Sequence, residues 1–519
     1  MEFIKNFPFF SIMLCMFCAI ITSILGRIAA KHLTRIVLGL AVIMSTAVLV
    51  YTLENDGSFV YYMGHFPAPW GNEIRSGCLE AVFALFVSAV SFVSIIGGTK
   101  AIEYDIEDKK ENLYYILVCL MVSSLLAMCY TNDLFTGYVF IEINTIAGCG
   151  LIMVRQIGKT VVTAIRYMVI SMLGSGLFLI GVTLLYSLTG HLLMSNIQET
   201  VARLSENGDY GVQLTVSIGL MTVGLAIKSG LFPFHLWIPD AYGQSNVTSS
   251  ALLSGTVSKG YIFLLIKVYI RTIGFDVIEK SGVFYICFVL GTTAMILGSV
   301  LALRESSFRR MIAFSSVAQI GYIYMGIGLG TKAGIAAAVF HIFAHGITKA
   351  LLFLSSSEFT EGSNSKSVED LKGLGHIYRY SALCYSIGAF SLVGFPLLSG
   401  FISKLLLGSA SVGSGPMQWI ALSALAVSTI LNAVYFLKTV IFLYIPPELV
   451  RKDRPVGVES LKNEEEKNLA KEKKLELLPG IHCPGYVFSI SVLVLLNFFL
   501  GLASEPIINI INKGLDYFA

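Results

Sequence analysis

Run after run of about 20 apolar residues, each one hydrocarbon thickness long, fills this chain from its start to its end. A segment crossing a bilayer must satisfy every backbone N–H and C=O internally, so only helices or a closed barrel will serve. The alternating period of a membrane barrel is absent, which leaves helices. Of 519 residues, 55% are hydrophobic and 13% charged, against roughly 25% charged in soluble domains. The reading is an all-α polytopic membrane protein of about 14 transmembrane helices. They are expected near 8–26, 33–53, 78–98, 113–130, 133–153, 163–188, 213–229, 247–270, 283–303, 311–329, 334–357, 380–407, 416–446 and 484–512, and are called helices 1 to 14 below.

Lysine and arginine outside these helices fall mostly on one set of loops, with Lys31, Lys100, Lys109, Arg155, Arg304 and Lys372 among them. The positive-inside rule makes that side cytoplasmic, which puts both termini outside a cell membrane. The start, with Glu2 and Lys5, has no strong basic region and no small-residue cleavage site, so helix 1 is expected to be retained. Nine cysteines scatter through the spans, and Cys15 and Cys18 form a CxxC without a second pair. No metal or iron–sulfur site is expected from that spacing.

Two helices carry Gly/Pro interruptions near their middles. Helix 7 continues into KSGLFPFHLWIPD, and helix 12 contains SLVGFPLLSGFISKLL. Breaks at corresponding places in two halves mark inverted repeats, here two five-helix units, helices 4–8 and 9–13, with helices 7 and 12 broken. The chain then divides into N-terminal helices 1–3 (1–110), a central core (111–446), a charged cytoplasmic loop (447–483) and a C-terminal helix (484–519). The loop is expected to be solvated and partly helical from Leu461 to Leu475, either a plain connector or a docking segment. GHFPAPWGNEIRSG, before helix 3, reads as an outside loop with short hairpin character.

Into these apolar helices the chain places Glu142, Lys228, Lys259, His341, His345, Lys349 and Lys404. A lysine at the centre of a membrane helix costs about 2.5–3.5 kcal/mol on insertion scales, so ionisable groups kept there mark ion or proton paths. His341, His345 and Lys349 follow at i, i+4, i+8 on one helical stripe. The bland alternative for the histidines is a hydrogen-bonded core pair; a zinc site lacks acidic or Cys ligands nearby. Glu142 and Lys228 are expected to pair and hold each other charged until a proton arriving from Lys259 weakens the pair; the alternative is a static buried salt bridge. Arg166, near the inner end of helix 6, snorkels or supports. His235 and Asp240, at the break in helix 7, cap it or gate it. Lys267 and Lys438 are expected to be structural, reaching an interface.

There is no Walker A loop and no dinucleotide fingerprint. GIGLGTKAG is a turn between spans. No cofactor and no nucleic-acid partner is expected, and the chain alone offers no redox or hydrolytic site.

GLAIKSGLFPFHLWIPDAY, RRMIAFSSVAQIGYI, HIFAHGITKALLFL, the DLKGLG loop and GFPLLSGFISK, in this order over roughly 110–440, resemble the antiporter-like superfamily. It comprises the large membrane subunits of respiratory complex I, the Mrp cation/proton antiporters and the membrane-bound hydrogenases. The resemblance implies that Glu142, Lys228, Lys259, His341, His345, Lys349 and Lys404 form a central hydrophilic axis. With lysine at 404 and the FPAPWG loop, the chain looks most like the Mrp D-type subunit; NEIRSGCLE, Arg166 and Arg304–Glu305 depart from the usual pattern. It implies a proton-translocating subunit of a hetero-oligomeric membrane complex, exchanging protons for sodium ions in an Mrp-type antiport. The alternatives are a pump subunit of a complex I-like or hydrogenase-type oxidoreductase, a stand-alone carrier, and a spacer that has lost transport.

Overall fold

The computed structural model describes residues 2–55, 57–66, 71–362, 367–446, 483–516 and 518. The expectations for the charged loop, and for the Pro67–Trp70 part of the loop before helix 3, lie outside the described residues.

Among the described residues, thirteen helices are long and apolar enough to cross a membrane. The fourteenth crossing, helix 12, is made of two shorter pieces, Arg379–Val393 and Ser399–Ser411. The chain is thus an all-α polytopic membrane protein. Helices 8 and 11 are wholly buried over their apolar windows and helix 10 is 94% buried, whereas helix 2 is 33% buried. The centre of the bundle is therefore helices 8, 10 and 11, and helices 8 and 11 carry Lys259, His341, His345 and Lys349.

Both expected breaks are present. In helix 7 the first piece, Gly211–Ser229, ends where Gly230 turns into the left-handed region at φ +77°. A short 3₁₀ turn, Phe234–Leu236, leads into the second piece, Trp237–Gln244. In helix 12 Gly394 does the same at φ +98°. Glycine meets no Cβ penalty there, and Pro233 and Pro396, without an N–H, prevent the helix from continuing. These two breaks are what the expected inverted repeat of helices 4–8 and 9–13 rests on.

Two secondary-structure features were not anticipated. Helix 8 (Val247–Ile273) contains two π-helical stretches, Leu253–Val257 and Val268–Ile273. Apolar periodicity over so few residues does not distinguish α from π. An amphipathic helix, Met194–Glu206, lies between helices 6 and 7. The hairpin before helix 3 is formed by β1 (Phe59–Tyr62) and β2 (Glu73–Ser76), antiparallel with Phe59 opposite Ser76; its first strand precedes the segment expected to form it. Cys18 of the CxxC meets Cys119 of helix 4, with sulfurs 3.5 Å apart.

A candidate ion path through the bundle

Lys228 stands on the last turn of the first piece of helix 7 and is 1% exposed. Its Nζ donates to Thr145 Oγ1 at 2.5 Å and lies 5.8 Å from the centre of the Tyr261 ring. Glu142, one helical turn before Thr145, is half-buried. Among the described residues the expected Glu142–Lys228 ion pair is not closed: the ammonium is taken by the threonine hydroxyl, and the carboxylate acts on it only at longer range. The surrounding polar contacts are neutral, with Tyr261 donating to Asn144 Oδ1 at 3.0 Å and Asn144 to Ser124 at 2.8 Å.

Lys259, wholly buried, follows the first π stretch of helix 8. Its ammonium turns back onto the Ser254 carbonyl within that stretch. A π turn shifts the backbone hydrogen-bond ladder, and here the lysine bonds a carbonyl inside it. Lys349 of helix 11 crosses to helix 10, donating to the Ile312 carbonyl at 2.7 Å and to Ser315.

His341 and His345 do share a stripe. Their rings are 5.9 Å apart and nearly parallel, and the Tyr322 ring lies 5.4 Å from that of His341. His341 Nδ1 pairs with Ser403 Oγ at 2.9 Å. Both nitrogens of His345, Nε2 of His341 and both amide atoms of Gln319 have no protein hydrogen-bond partner. These side chains, with Thr348, Ser391 and Lys404, line one cavity of ≈ 10 Å³, about the space a single water centre needs.

Lys404, beyond the break in helix 12, is partly buried. Its Nζ reaches back to the Leu392 and Val393 carbonyls, each at 2.9 Å. Those are the last carbonyls of the piece Arg379–Val393, where the helix dipole is negative. Among the expected residues the structure therefore gathers His341, His345 and Lys404 around one cavity. Lys259 and Lys349 are within electrostatic reach of His345. Among the described residues no hydrogen bond joins Lys228 to Lys259.

Arg166 and Asp240 meet at 3.3 Å, and Asp240 also holds Arg310. His235 is buried and stacked 5.3 Å from Phe232. Lys267 is not at an interface: it is wholly buried and donates to the Cys129 and Thr131 carbonyls at 2.8 and 2.5 Å. Lys438 is half-exposed, 3.8 Å from Glu369.

The sequence reading passed over Thr145, Gln319, Ser403 and Asn497. Asn497 of helix 14 donates to Thr348 at 2.8 Å and accepts from Ser391 and Ser399, each at 2.7 Å. Gln319 and Asn497 are polar amides in mid-span, a signal available in the sequence; the hydroxyls carry none. The buried ion pair between Glu80 of helix 3 and Arg271 of helix 8 was also missed.

The arrangement is one of lysines at membrane depth bonded to neutral acceptors, beside two histidines of which one pairs with Ser403 and the other has no protein partner. A base so held can take up or release a proton without first breaking an ion pair, which suits a relay.

Residues 131–431 match the family described as "NADH:quinone oxidoreductase/Mrp antiporter, TM". The NADH-quinone oxidoreductase subunit N of Desulforudis audaxviator is 29% identical over 525 residues, covering 99% of each chain. The D-type subunit of the Na(+)/H(+) antiporter of Alkalihalophilus pseudofirmus is 28% identical over 383 residues, 73% of this chain and 76% of that one. A chain of the Mrp complex from Dietzia sp. shares the fold, with a TM-score of 0.84 and 22% identity over 100% of this chain and 98% of that chain.

Proposed function

This chain belongs to the NADH:quinone oxidoreductase/Mrp antiporter membrane family, and from that premise we propose that it carries protons across the membrane as one subunit of a multi-subunit complex. Protons reach Lys228 near one broken helix and pass to Lys259. They continue through the His341–His345–Lys349 group to Lys404 at the other break. Glu142 acts on Lys228 from a distance, tuning how readily that lysine holds its charge. Arg166, Asp240 and His235 support the break in helix 7. The observation that carries this reading is the cavity lined by Gln319, His341, His345 and Lys404, whose buried histidine and amide atoms include several with no protein partner. Polar groups in such a setting are ones that water or a passing proton would satisfy.

The driving partner is a sodium gradient, in an Mrp-type Na⁺/H⁺ antiport across the cell membrane, with both termini outside and the basic loops within. Lysine at 404 and the relative that is a D-type subunit of a Na(+)/H(+) antiporter support that assignment. A second reading, a redox-driven pump subunit, is favoured by the full-length match to an NADH-quinone oxidoreductase subunit N.

Proton movement in inside-out vesicles holding the intact complex tests the path. Lys228→Ala and Glu142→Gln, at matched assembly, are expected to abolish and to reduce it, respectively. Unchanged movement in both would assign the buried charges a structural role. Adding sodium to such vesicles, or a reduced electron donor, separates the two driving forces: acidification that sodium alone reverses supports antiport, and acidification that requires the donor supports the pump.

A further inference from the structure

One buried carboxyl has no place in the path above. Glu358 ends helix 11 and is 0% exposed. One of its oxygens accepts from Ser381 Oγ of helix 12. Ser381 is in turn 2.8 Å from the Tyr486 hydroxyl of helix 14. The other oxygen, Oε1, has no partner. The titratable groups facing Glu358 are Tyr486 on helix 14 and Cys384 on helix 12. Among the described residues no cation accompanies it. A carboxyl in this setting is costly to keep, and a purely structural link between the three helices needs only a hydrogen bond, which an amide would supply.

The same three helices lead from Glu358 to the cavity. Asn497 lies about three turns beyond Tyr486 on the same face of helix 14. It holds Thr348 of helix 11 and Ser391 of helix 12, and both of these line the cavity with His345 and Lys404. Ser355, buried on helix 11, stands between Thr348 and Glu358 along that helix. Polar side chains therefore mark the helix 11–12–14 interface at both of its levels.

We propose that Glu358 is a proton-loading carboxyl. It takes protons from the side of the membrane where helix 11 ends and helices 12 and 14 begin, and passes them along this interface to the His341–Lys404 cavity. The proposal rests on the proton-path reading above and adds the group at which the path is loaded.

The test uses the intact complex in vesicles. A hydrophobic carbodiimide adds to protonated carboxyls, and peptide mass spectrometry locates the adduct. The expected adduct is on the wild-type peptide containing Glu358, forms more slowly as pH rises, and is absent from E358Q. Proton movement is expected to fall several-fold in E358Q, whose amide keeps the Ser381 contact, and to recover in E358D. No adduct on Glu358 in the wild type overturns the proposal without any variant. Wild-type movement in E358Q also overturns it, and Lys228→Ala run alongside shows what has failed. If Lys228→Ala abolishes movement while E358Q does not, Glu358 is only a tie between helices. If neither changes it, the path reading falls as well.

Discussion

Lys228 reaches Thr145 rather than Glu142, although Glu142 is the charge-complementary residue one turn away from that threonine on the same helix. A lysine bonded to a hydroxyl retains a dipolar partner and can lose its proton without abandoning a carboxylate. Glu142 then sets the local potential and does not lock the ammonium.

From this, Thr145→Val is expected to be more harmful than its size suggests. It leaves a buried ammonium without its acceptor, a loss of about 1–3 kcal/mol for an unsatisfied buried group. Thr145→Ser restores the hydroxyl. Thermal unfolding of the solubilised complex and vesicle proton movement should both fall in the valine variant and both return in the serine variant. Normal transport in the valine variant would show that the hydroxyl is incidental.

Gly394 tests the second break. Its φ of +98° strains any L side chain, and a Cβ there would stand 3.2 Å from Lys404 Cδ. Gly394→Ala is expected to cost about 1–2 kcal/mol of backbone strain and to displace the lysine from the Leu392 and Val393 carbonyls. Transport should drop accordingly. Gly408→Ala, on the following helical piece with nothing within 4 Å of the added carbon, is the control and should leave transport unchanged. Equal transport in the two variants would separate Lys404 from the path.

Away from the path, the buried pair of Glu80 and Arg271 is expected to matter for stability alone. Removing one partner of a buried pair typically costs about 3–5 kcal/mol, because the other charge is left uncompensated. Glu80→Ala should therefore lower the unfolding temperature sharply while transport per assembled complex is retained. Replacing both residues by methionine should recover much of the stability, since Arg271 already packs on the Phe518 ring at 4.2 Å. A double variant no better than the single would deny that the isolated charge is the cost.

The helices and both breaks could be read from the chain because their signals are local: long apolar runs, and Gly with Pro at 230–233 and 394–396. The lysines and histidines were visible for a related reason, since charge stands out in an apolar run. What a span bonds to was not visible. Thr145 and Ser403 look like ordinary membrane residues, and only the crossing of helices 5 with 7 and 11 with 12 turns them into hydrogen-bond partners of Lys228 and His341. Lys267 was misjudged because its distance from a helix end says nothing of the Cys129 and Thr131 carbonyls that turn it inward. The π stretch beside Lys259 depends on tertiary packing that periodicity does not encode.

Gln319 gives a prediction in which stability and function separate. Its amide lies in the wall of the cavity beside His341 and His345, and neither of its polar atoms has a protein partner. Replacing an unsatisfied buried polar group by an apolar one of similar shape is nearly neutral or stabilising. Gln319→Leu should therefore leave the unfolding temperature of the complex unchanged or slightly raised. The same substitution makes that wall of the cavity apolar, and an apolar cavity stays dry. Proton movement should then fall, because His345 would lose the neighbour through which a water could bridge to it. A purely structural amide would give the opposite pattern, with lower stability and intact transport. Measuring unfolding and vesicle acidification on one preparation distinguishes the two, and stable, fully active Gln319→Leu complexes would place the proton path outside this cavity.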